Sequence, residues 1–328
     1  MNYNPLVSII IPTKDCSREL ERCLKAIKKQ TYHNYEIIVS DGLSTDDTVS
    51  IARKYKSRVV KNAKVLAEPG VSLGFSHAKG EILIVMAVDN IFKEINALEK
   101  IVLTFKNKKI YAAFPKHENS RNDTLFTKYI NIFTDPFNHF VYGYAANART
   151  FNKVYKTLEH NSIFDVFDFK SGRIMPIIAL AQGLSVRRQF IDNTRNEMDD
   201  ITPLLKLIEE GKQIAYVHSA SIYHHTVKNM GQFVRKQRWE ARNALSGKKY
   251  GINSRRNTLT KNQIMRMYLF PFYSLSIIIP MCNAIFHLLK DKEKMWLFHP
   301  VITFITGVSI IYEYVRIKFR ISSIISRA

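Results

Sequence analysis

The chain opens with short apolar runs separated by polar turns and amphipathic stretches. Val7-Ser-Ile-Ile-Ile11 and Glu36-Ile-Ile-Val-Ser40 read as buried strands. Between them, Ser17 to Gln30 places Leu20, Cys23, Leu24 and Ile27 on one face of a helix. Ser44-Thr-Asp-Asp47 fits a capping box that opens a second helix, running to about Tyr55. A short strand near Arg58-Val-Val60, a loop through Pro69-Gly70 and a brief helix follow. They lead to Ile82-Leu-Ile-Val-Met-Ala-Val-Asp-Asn90, an apolar run without Gly or Pro that reads as a strand covered on both faces. Strand-helix alternation with short turns predicts an α/β fold, a mostly parallel sheet covered by helices. It also places Pro12 to Asp15, Asp41 and Asp89 at the C-terminal ends of neighbouring strands, where open α/β sheets bind ligands. Taken singly, Pro12 is a strand stop, Asp41 a turn residue and Asp89 a loop start or helix cap.

Further on, Lys93 to about Asn107 reads as a helix and Ile110-Tyr-Ala-Ala-Phe114 as a strand. Leu184-Ser-Val-Arg-Arg188 reads as a strand end that presents cations. Pro203 suits the first turn of a helix with Leu204, Leu205, Leu207 and Ile208 on its apolar face, and Gly211 ends it. Glu197, Asp199 and Asp200 crowd the start of that helix, where its dipole favours negative charge. Gln213-Ile-Ala-Tyr-Val217 is a strand leading to Ala220-Ser-Ile-Tyr-His-His225.

The C-terminal third has a different composition. Lys228 to Arg266 holds eleven Lys or Arg and one acidic residue, Glu240. Met267 to Leu289 then runs without a formal charge, and Met295 to Tyr312 does so again after Lys290-Asp-Lys-Glu-Lys294. At 1.5 Å per residue the first can cross a ~30 Å hydrocarbon core, and the second only just. A basic belt before apolar segments predicts attachment to an anionic bilayer, as a spanning helical hairpin or as helices in the interface broken by Pro271, Pro280 and Pro300. The positive-inside count puts the protein on the cytoplasmic face of the cell membrane. The formal charge of +21 also admits a nucleic-acid-binding protein, but no binding module for one is present and none is expected as a partner. Cys16, Cys23 and Cys282 form neither a metal-spaced cluster nor a disulfide framework. Leu6 to Ile11 is too short for a secretory signal core and is stopped by Pro12.

Val7-Ser-Ile-Ile-Ile-Pro-Thr13, Ile38-Val-Ser-Asp-Gly-Leu-Ser-Thr-Asp-Asp-Thr48 and Ala78-Lys-Gly-Glu-Ile-Leu-Ile-Val-Met86 together resemble the nucleotide-binding half of family 2 glycosyltransferases with the GT-A fold. The resemblance covers roughly residues 5–92. It implies transfer of a sugar with inversion from a nucleotide-sugar donor to an acceptor hydroxyl on a lipid-linked or surface glycan. Pro12, Thr13, Asp15 and Asp41 would bind the donor. Asp89 would be the last carboxylate of the family's Asp-x-Asp motif and would hold Mn²⁺ or Mg²⁺ with His224, His225 being the second choice. Asp200 matches the Asp of the family's Glu-Asp motif, the catalytic base, and Asp199 replaces the Glu. Arg238 and Trp239, which would also bind the donor, match the end of a Gln-x-x-Arg-Trp box, with Arg235 where its Gln should stand, so processivity is not supported.

Two departures qualify this picture. Ala87 replaces the first Asp of the metal motif, which keeps open a catalytically inactive binding or assembly protein. Gly70 to Ala78 lacks the family's Arg-Asn segment, and Lys61, Lys64 or His77 would have to supply its positive charge. The expected organisation is a catalytic domain over 1–227, a basic segment over 228–266 and a membrane-associated hairpin and tail over 267–328. The nucleotide half of the catalytic domain is about 5–115 and the acceptor half about 116–227. Phe133, Phe137, Phe140, Tyr142 and Tyr144 in the acceptor half suit either an acceptor-binding wall or a satellite core.

Overall fold

The structure, a computed structural model, describes residues 3–177, 182–192, 202–245 and 257–325. The chain divides into two units. The first comprises residues 1–118, 148–172 and 177–224, and the second 119–147, 173–176 and 225–328.

The first unit begins β1 (Val7–Thr13), α1 (Ser17–Lys28), β2 (Tyr35–Asp41), α2 (Thr48–Lys54), β3 (Arg58–Lys61), α3 (Ala67–His77) and β4 (Ile82–Met86). It continues through β5 (Asn90–Phe92), α4 (Ala97–Thr104) and β6 (Ile110–Glu118). Within the second unit lie α5 (Leu125–Phe133) and α6 (Pro136–Tyr142). The chain then returns to the first unit for β7 (Thr157–His160), β8 (Asp165–Phe167), β9 (Gln182–Arg187), α7 (Arg188–Asp192), α8 (Thr202–Glu209) and β10 (Gln213–His224). The second unit closes with α9 (Met230–Leu245), α10 (Lys261–Leu275), α11 (Ile278–Asp291) and α12 (His299–Ile325).

One sheet carries the first unit, in the order β3-β2-β1-β4-β9-β6-β10-β8-β7, with β5 paired to β10. β1, β2, β3 and β4 are mutually parallel, as are β6 and β10, so the expected mostly parallel sheet is present. β9 runs antiparallel between β4 and β6, and β5, β7 and β8 add antiparallel pairs around β10. All five residues of β4 are buried, as a strand covered on both faces must be. The predicted face of α1 is the one buried: Leu20, Cys23, Leu24 and Ile27 are all fully enclosed against the sheet. Each such side chain contributes roughly 1.5–3 kcal/mol by leaving water. On α3, a Cβ at Gly74 would sit 2.2 Å from Ile10 Cγ2, so only glycine lets the helix lie this close.

Three details differ from expectation. The helix after Ser44 starts later, at Thr48, because Asp46 rather than Ser44 accepts the Thr48 N–H, at 2.9 Å. The helix read from Lys93 begins only at Ala97, after β5 and a turn. The segments α5 and α6, expected in the acceptor half, belong with the C-terminal helices instead. There Tyr129, Phe133, Phe233, Trp296 and Ile302 form a core, and Phe140 stacks on Tyr273 at 4.3 Å. Phe133 and Phe140 thus belong to a satellite core.

In the second unit Lys294–Phe319 is long and apolar enough to cross a membrane, with mean hydropathy 1.6. α10 and α11 pass the same test only as a pair bent by 100°, so the straight first arm of a hairpin is not formed. The break has a local cause. Pro280 has no N–H for the Ser276 carbonyl and its ring would clash there, and Ile277 takes φ +54° at the corner. α12 is amphipathic in an inverted sense: His299, Thr303, Thr306, Ser309 and Glu313 are buried, while Val301, Val308, Tyr312, Val315 and Phe319 are exposed.

Candidate functional site

The ends of β1 and β2 build the first part of the site. Thr13 and Asp41 are register partners, and the Gly42 N–H donates to the Thr13 carbonyl at 2.8 Å. Asp41 is buried and its carboxylate accepts the Ser44 N–H at 3.1 Å, while its carbonyl accepts the Asn62 N–H at 2.7 Å. The start of α3 lies over Pro12, and a Cβ at Gly70 would stand 3.1 Å from Pro12 Cβ.

Asp15, at φ +46°, fastens the first two loops together. Its Oδ1 accepts the Thr45 N–H at 2.7 Å and the Thr45 hydroxyl at 3.2 Å, and its own N–H donates to Ser44 Oγ at 2.9 Å. Asp46 repeats the device, accepting the Ser17 N–H at 3.0 Å. Burial raises the Asp46 pKa, but hydrogen bonds from Thr48 and Ser17 outweigh it and hold the carboxyl at about 2. Its charge is therefore permanent at neutral pH.

The second part of the site is made where β4 ends. The Asn90 N–H closes a turn on the Ala87 carbonyl at 3.0 Å, and β5 then pairs with β10 so that Asn90 faces His224. That register brings His224 Nε2 to 3.6 Å from Asp89 Oδ2. His117, on β6, brings its ring to 5.3 Å from that of His224. A carboxylate oxygen and an imidazole nitrogen at this separation can both reach one divalent cation at about 2.1 Å. Cys23 is pushed up to about 12, first by burial and then by the Asp89 charge, which makes it a packing residue and not a nucleophile.

Other candidates are placed elsewhere. Lys61 ends β3 opposite Asp41, at the edge where the site lies. His77 ends α3 at the opposite edge of the sheet, its Nδ1 2.9 Å from the Leu73 carbonyl, and so is removed from consideration. Arg187 also lies at that far edge, opposite Ile82. Its guanidinium donates to the carbonyls of Ile110 and Phe105 at 2.8 and 2.7 Å, stapling the sheet instead of presenting a cation. His225 is engaged by Asp123 at 2.6 Å in the second unit, which leaves His224 as the partner of Asp89. Asp199 and Asp200, with Glu197, lie outside the described residues. His117 was missed by sequence reasoning, its only signal being its place near the end of a strand.

Arg238 and Trp239 belong to α9 in the second unit. Arg238 Nε donates to Glu313 Oε1 at 2.7 Å, and its guanidinium lies 4.2 Å from the Tyr312 ring centroid. Arg316 and Arg242 reach the same fully buried carboxylate, at 2.8 and 3.6 Å. Trp239 is exposed. The unit also contains a largely apolar cavity of about 310 Å³, lined by Phe137, Val141, Tyr142, Ala241, Glu240 and Tyr268.

Comparison with known proteins places these features. Residues 8–173 match the model for glycosyl transferase family 2. The glycosyltransferase GlyG of Streptococcus pneumoniae is 34% identical over 102 residues, 29% of this chain and 34% of GlyG. A PGL/p-HBAD biosynthesis glycosyltransferase of Mycobacterium bovis is 28% identical over 103 residues, 30% of this chain and 40% of that protein. The matched stretch thus spans well under half of either relative. Among solved structures, the mannosyltransferase PcManGT of Pyrobaculum calidifontis, in complex with GDP-Man and Mn²⁺, shares the fold with a TM-score of 0.56 at 13% identity. That likeness covers 95% of this chain and 88% of the mannosyltransferase.

Proposed function

The chain belongs to glycosyl transferase family 2, and on that basis we propose that it transfers a sugar from a nucleotide-sugar donor to an acceptor hydroxyl, with inversion. The observation that carries this is the pairing of Asp89 with His224 at the sheet edge that also bears Thr13 and Asp41. Pro12, Thr13 and Asp41 form the nucleotide pocket, which Asp15 shapes by fixing the loops around it. Asp89 and His224 hold one side of a divalent cation, Mn²⁺ or Mg²⁺, as the Mn²⁺ in the PcManGT complex supports. When bound, such a cation offsets charge on the departing diphosphate. With Ala87 contributing no oxygen, the chain supplies fewer ligands than a two-carboxylate motif, and the donor's phosphates complete the set. Asp200 takes the proton of the acceptor hydroxyl. Because Arg238 is committed to Glu313, its part is to brace α9 against α12.

The acceptor is a lipid-linked or surface glycan, and the protein works at the cytoplasmic face of a membrane. Most of the large apolar side chains that stand exposed lie between residues 264 and 319, beside a strongly basic segment. The apolar cavity of the second unit suits the hydrocarbon part of such an acceptor.

Ala87 sustains a second reading, a relative that retains the fold but not the transfer. A thermal-shift screen of UDP-, GDP- and dTDP-sugars, with and without Mn²⁺, separates the two when followed by assay of donor turnover. Stabilisation by one donor class in the presence of metal, with turnover, is expected. Donor binding without turnover on any acceptor favours the inactive relative, and no donor binding overturns both.

A further inference from the structure

A second group of metal-type ligands lies on the opposite flank of the sheet, and we propose that it is a Zn²⁺-class site clamping β7 and β8 to β10. His160, Asp165 and His218 each offer one ligand atom, and the three lie within 4.8 Å of one another. His160 Nδ1 is 2.5 Å from Asp165 Oδ1, and the His160 and His218 rings are stacked with centroids 5.9 Å apart. An imidazole pair with one carboxylate suits a borderline dication such as Zn²⁺, Co²⁺ or Ni²⁺.

The fold places these residues with little freedom. Asp165 is the register partner of His160 on β7 and of Tyr216 on β10. His218 sits in the irregular stretch of β10 between Val217 and Ser221, and bulges of this kind re-aim a side chain. Its Nε2 lies 3.1 Å from the Asn161 carbonyl, a backbone partner of the sort that orients metal-binding histidines. The turn joining β7 to β8 is held by Asn161 Oδ1, which accepts the Ile163 and Phe164 N–H groups at 2.8 and 2.9 Å. That turn is tied to β10 by the Ser219 N–H on the Ile163 carbonyl, at 3.2 Å. His160 is the exposed member, so its ring can move the fraction of an ångström needed to admit an ion between itself and Asp165.

The site is separate from the Asp89 pair. Val217 and Tyr223, which precede His218 and His224, pair with Pro115 and Glu118, three residues apart on β6, so the two histidines are separated by roughly 10 Å at about 3.3 Å per residue. It also has work to do. β7 and β8 contain four and three residues, and a short two-stranded edge is marginal without further support.

The test uses the full-length protein as Asp89→Ala, which removes the competing pair. Co²⁺ titration followed by visible absorption, and Zn²⁺ counting by equilibrium dialysis, should give one ion per chain with nitrogen ligation. His160→Ala, at an exposed position, should lower affinity at least tenfold, and adding His218→Ala should abolish binding. In the Asp89→Ala background, Zn²⁺ should raise the melting temperature, and His160→Ala should remove that rise while leaving the metal-free melting temperature near normal. If His218→Ala does not fold, His160→Ala and Asp165→Asn decide the matter. Unchanged Zn²⁺ affinity in His160→Ala, or no ion bound at micromolar Zn²⁺, overturns the site and leaves His160 and Asp165 an ordinary ion pair.

Discussion

His224 Nε2 and Asp89 Oδ2 face one another at 3.6 Å because β5 pairs antiparallel with β10 immediately after the turn that ends β4. Strand register, and not proximity in sequence, creates the pair. Asp89→Ala should therefore abolish Mn²⁺-dependent donor binding, and His224→Ala should weaken it while leaving the fold intact. Isothermal titration with GDP and UDP, with and without Mn²⁺, measures both. Full turnover in excess chelator would overturn metal use and leave the pair structural.

Asp200→Asn tests the proposed base, because it preserves shape but cannot accept a proton. Turnover should fall by about 10²–10⁴ while donor binding persists. A dead Asp199→Asn alongside an active Asp200→Asn would assign the base to the neighbouring carboxylate.

Gly74→Ala tests how closely α3 lies on the sheet. The added Cβ would meet Ile10 Cγ2 at 2.2 Å, well inside contact distance. Such overpacking costs about 1–3 kcal/mol, visible in urea denaturation of the first unit. Ile10→Ala removes the Cγ2 and Cγ1 atoms that the new Cβ would meet, so the loss in the double variant should fall short of the sum of the two single losses.

Glu240, in the cavity of the second unit, is pushed up to about 7 by burial and then by the Asp135 charge, against the opposing pull of Lys236 and of Gln237. The folded state thus holds a proton that the unfolded chain has released above its ordinary value of 4.5. The stability this contributes is fully present below about 4.5 and is lost as pH rises through about 7. Thermal melts across that window should show the decline, and Glu240→Gln should flatten it.

Membrane attachment predicts that the full chain sediments with membranes and resists extraction by high salt, because apolar burial is not screened. Since α5, α6 and α9 share a core with α10 to α12, detergent and not truncation near Arg266 is the means to release it. Recovery of the full chain in the soluble fraction at low salt would overturn the attachment.

Much of the first unit was legible because its information is local. Alternating apolar runs and amphipathic stretches gave β1 to β4 and α1 to α3, and with them the shared edge carrying Thr13, Asp41 and Asp89. β9 was legible as a strand end at Leu184 to Arg188, but its antiparallel insertion was not, since that is recognised only by the partners it lies between. The same limit explains Arg187, which reads as a free cation until the Ile110 and Phe105 carbonyls are seen beside it. His160 and His218 carry no spacing signal, for they are 58 residues apart and meet only through the register of three strands. The bend between α10 and α11 was half visible: the prolines announce an interruption, but only the backbone at Ile277 shows its angle.

The central position of β9 has a consequence for the order of synthesis. When Glu118 leaves the ribosome, β4 and β6 both exist, yet the strand that joins them has not been made. Arg187 follows 69 residues later, roughly 3–14 s at ordinary elongation rates of about 5–20 residues per second. For that interval Ile82 to Met86 presents an apolar strand with one unpaired edge, the form most open to mispairing with another nascent chain. Chaperone demand during translation should therefore peak between these two points and fall once residues 182–187 have closed the sheet.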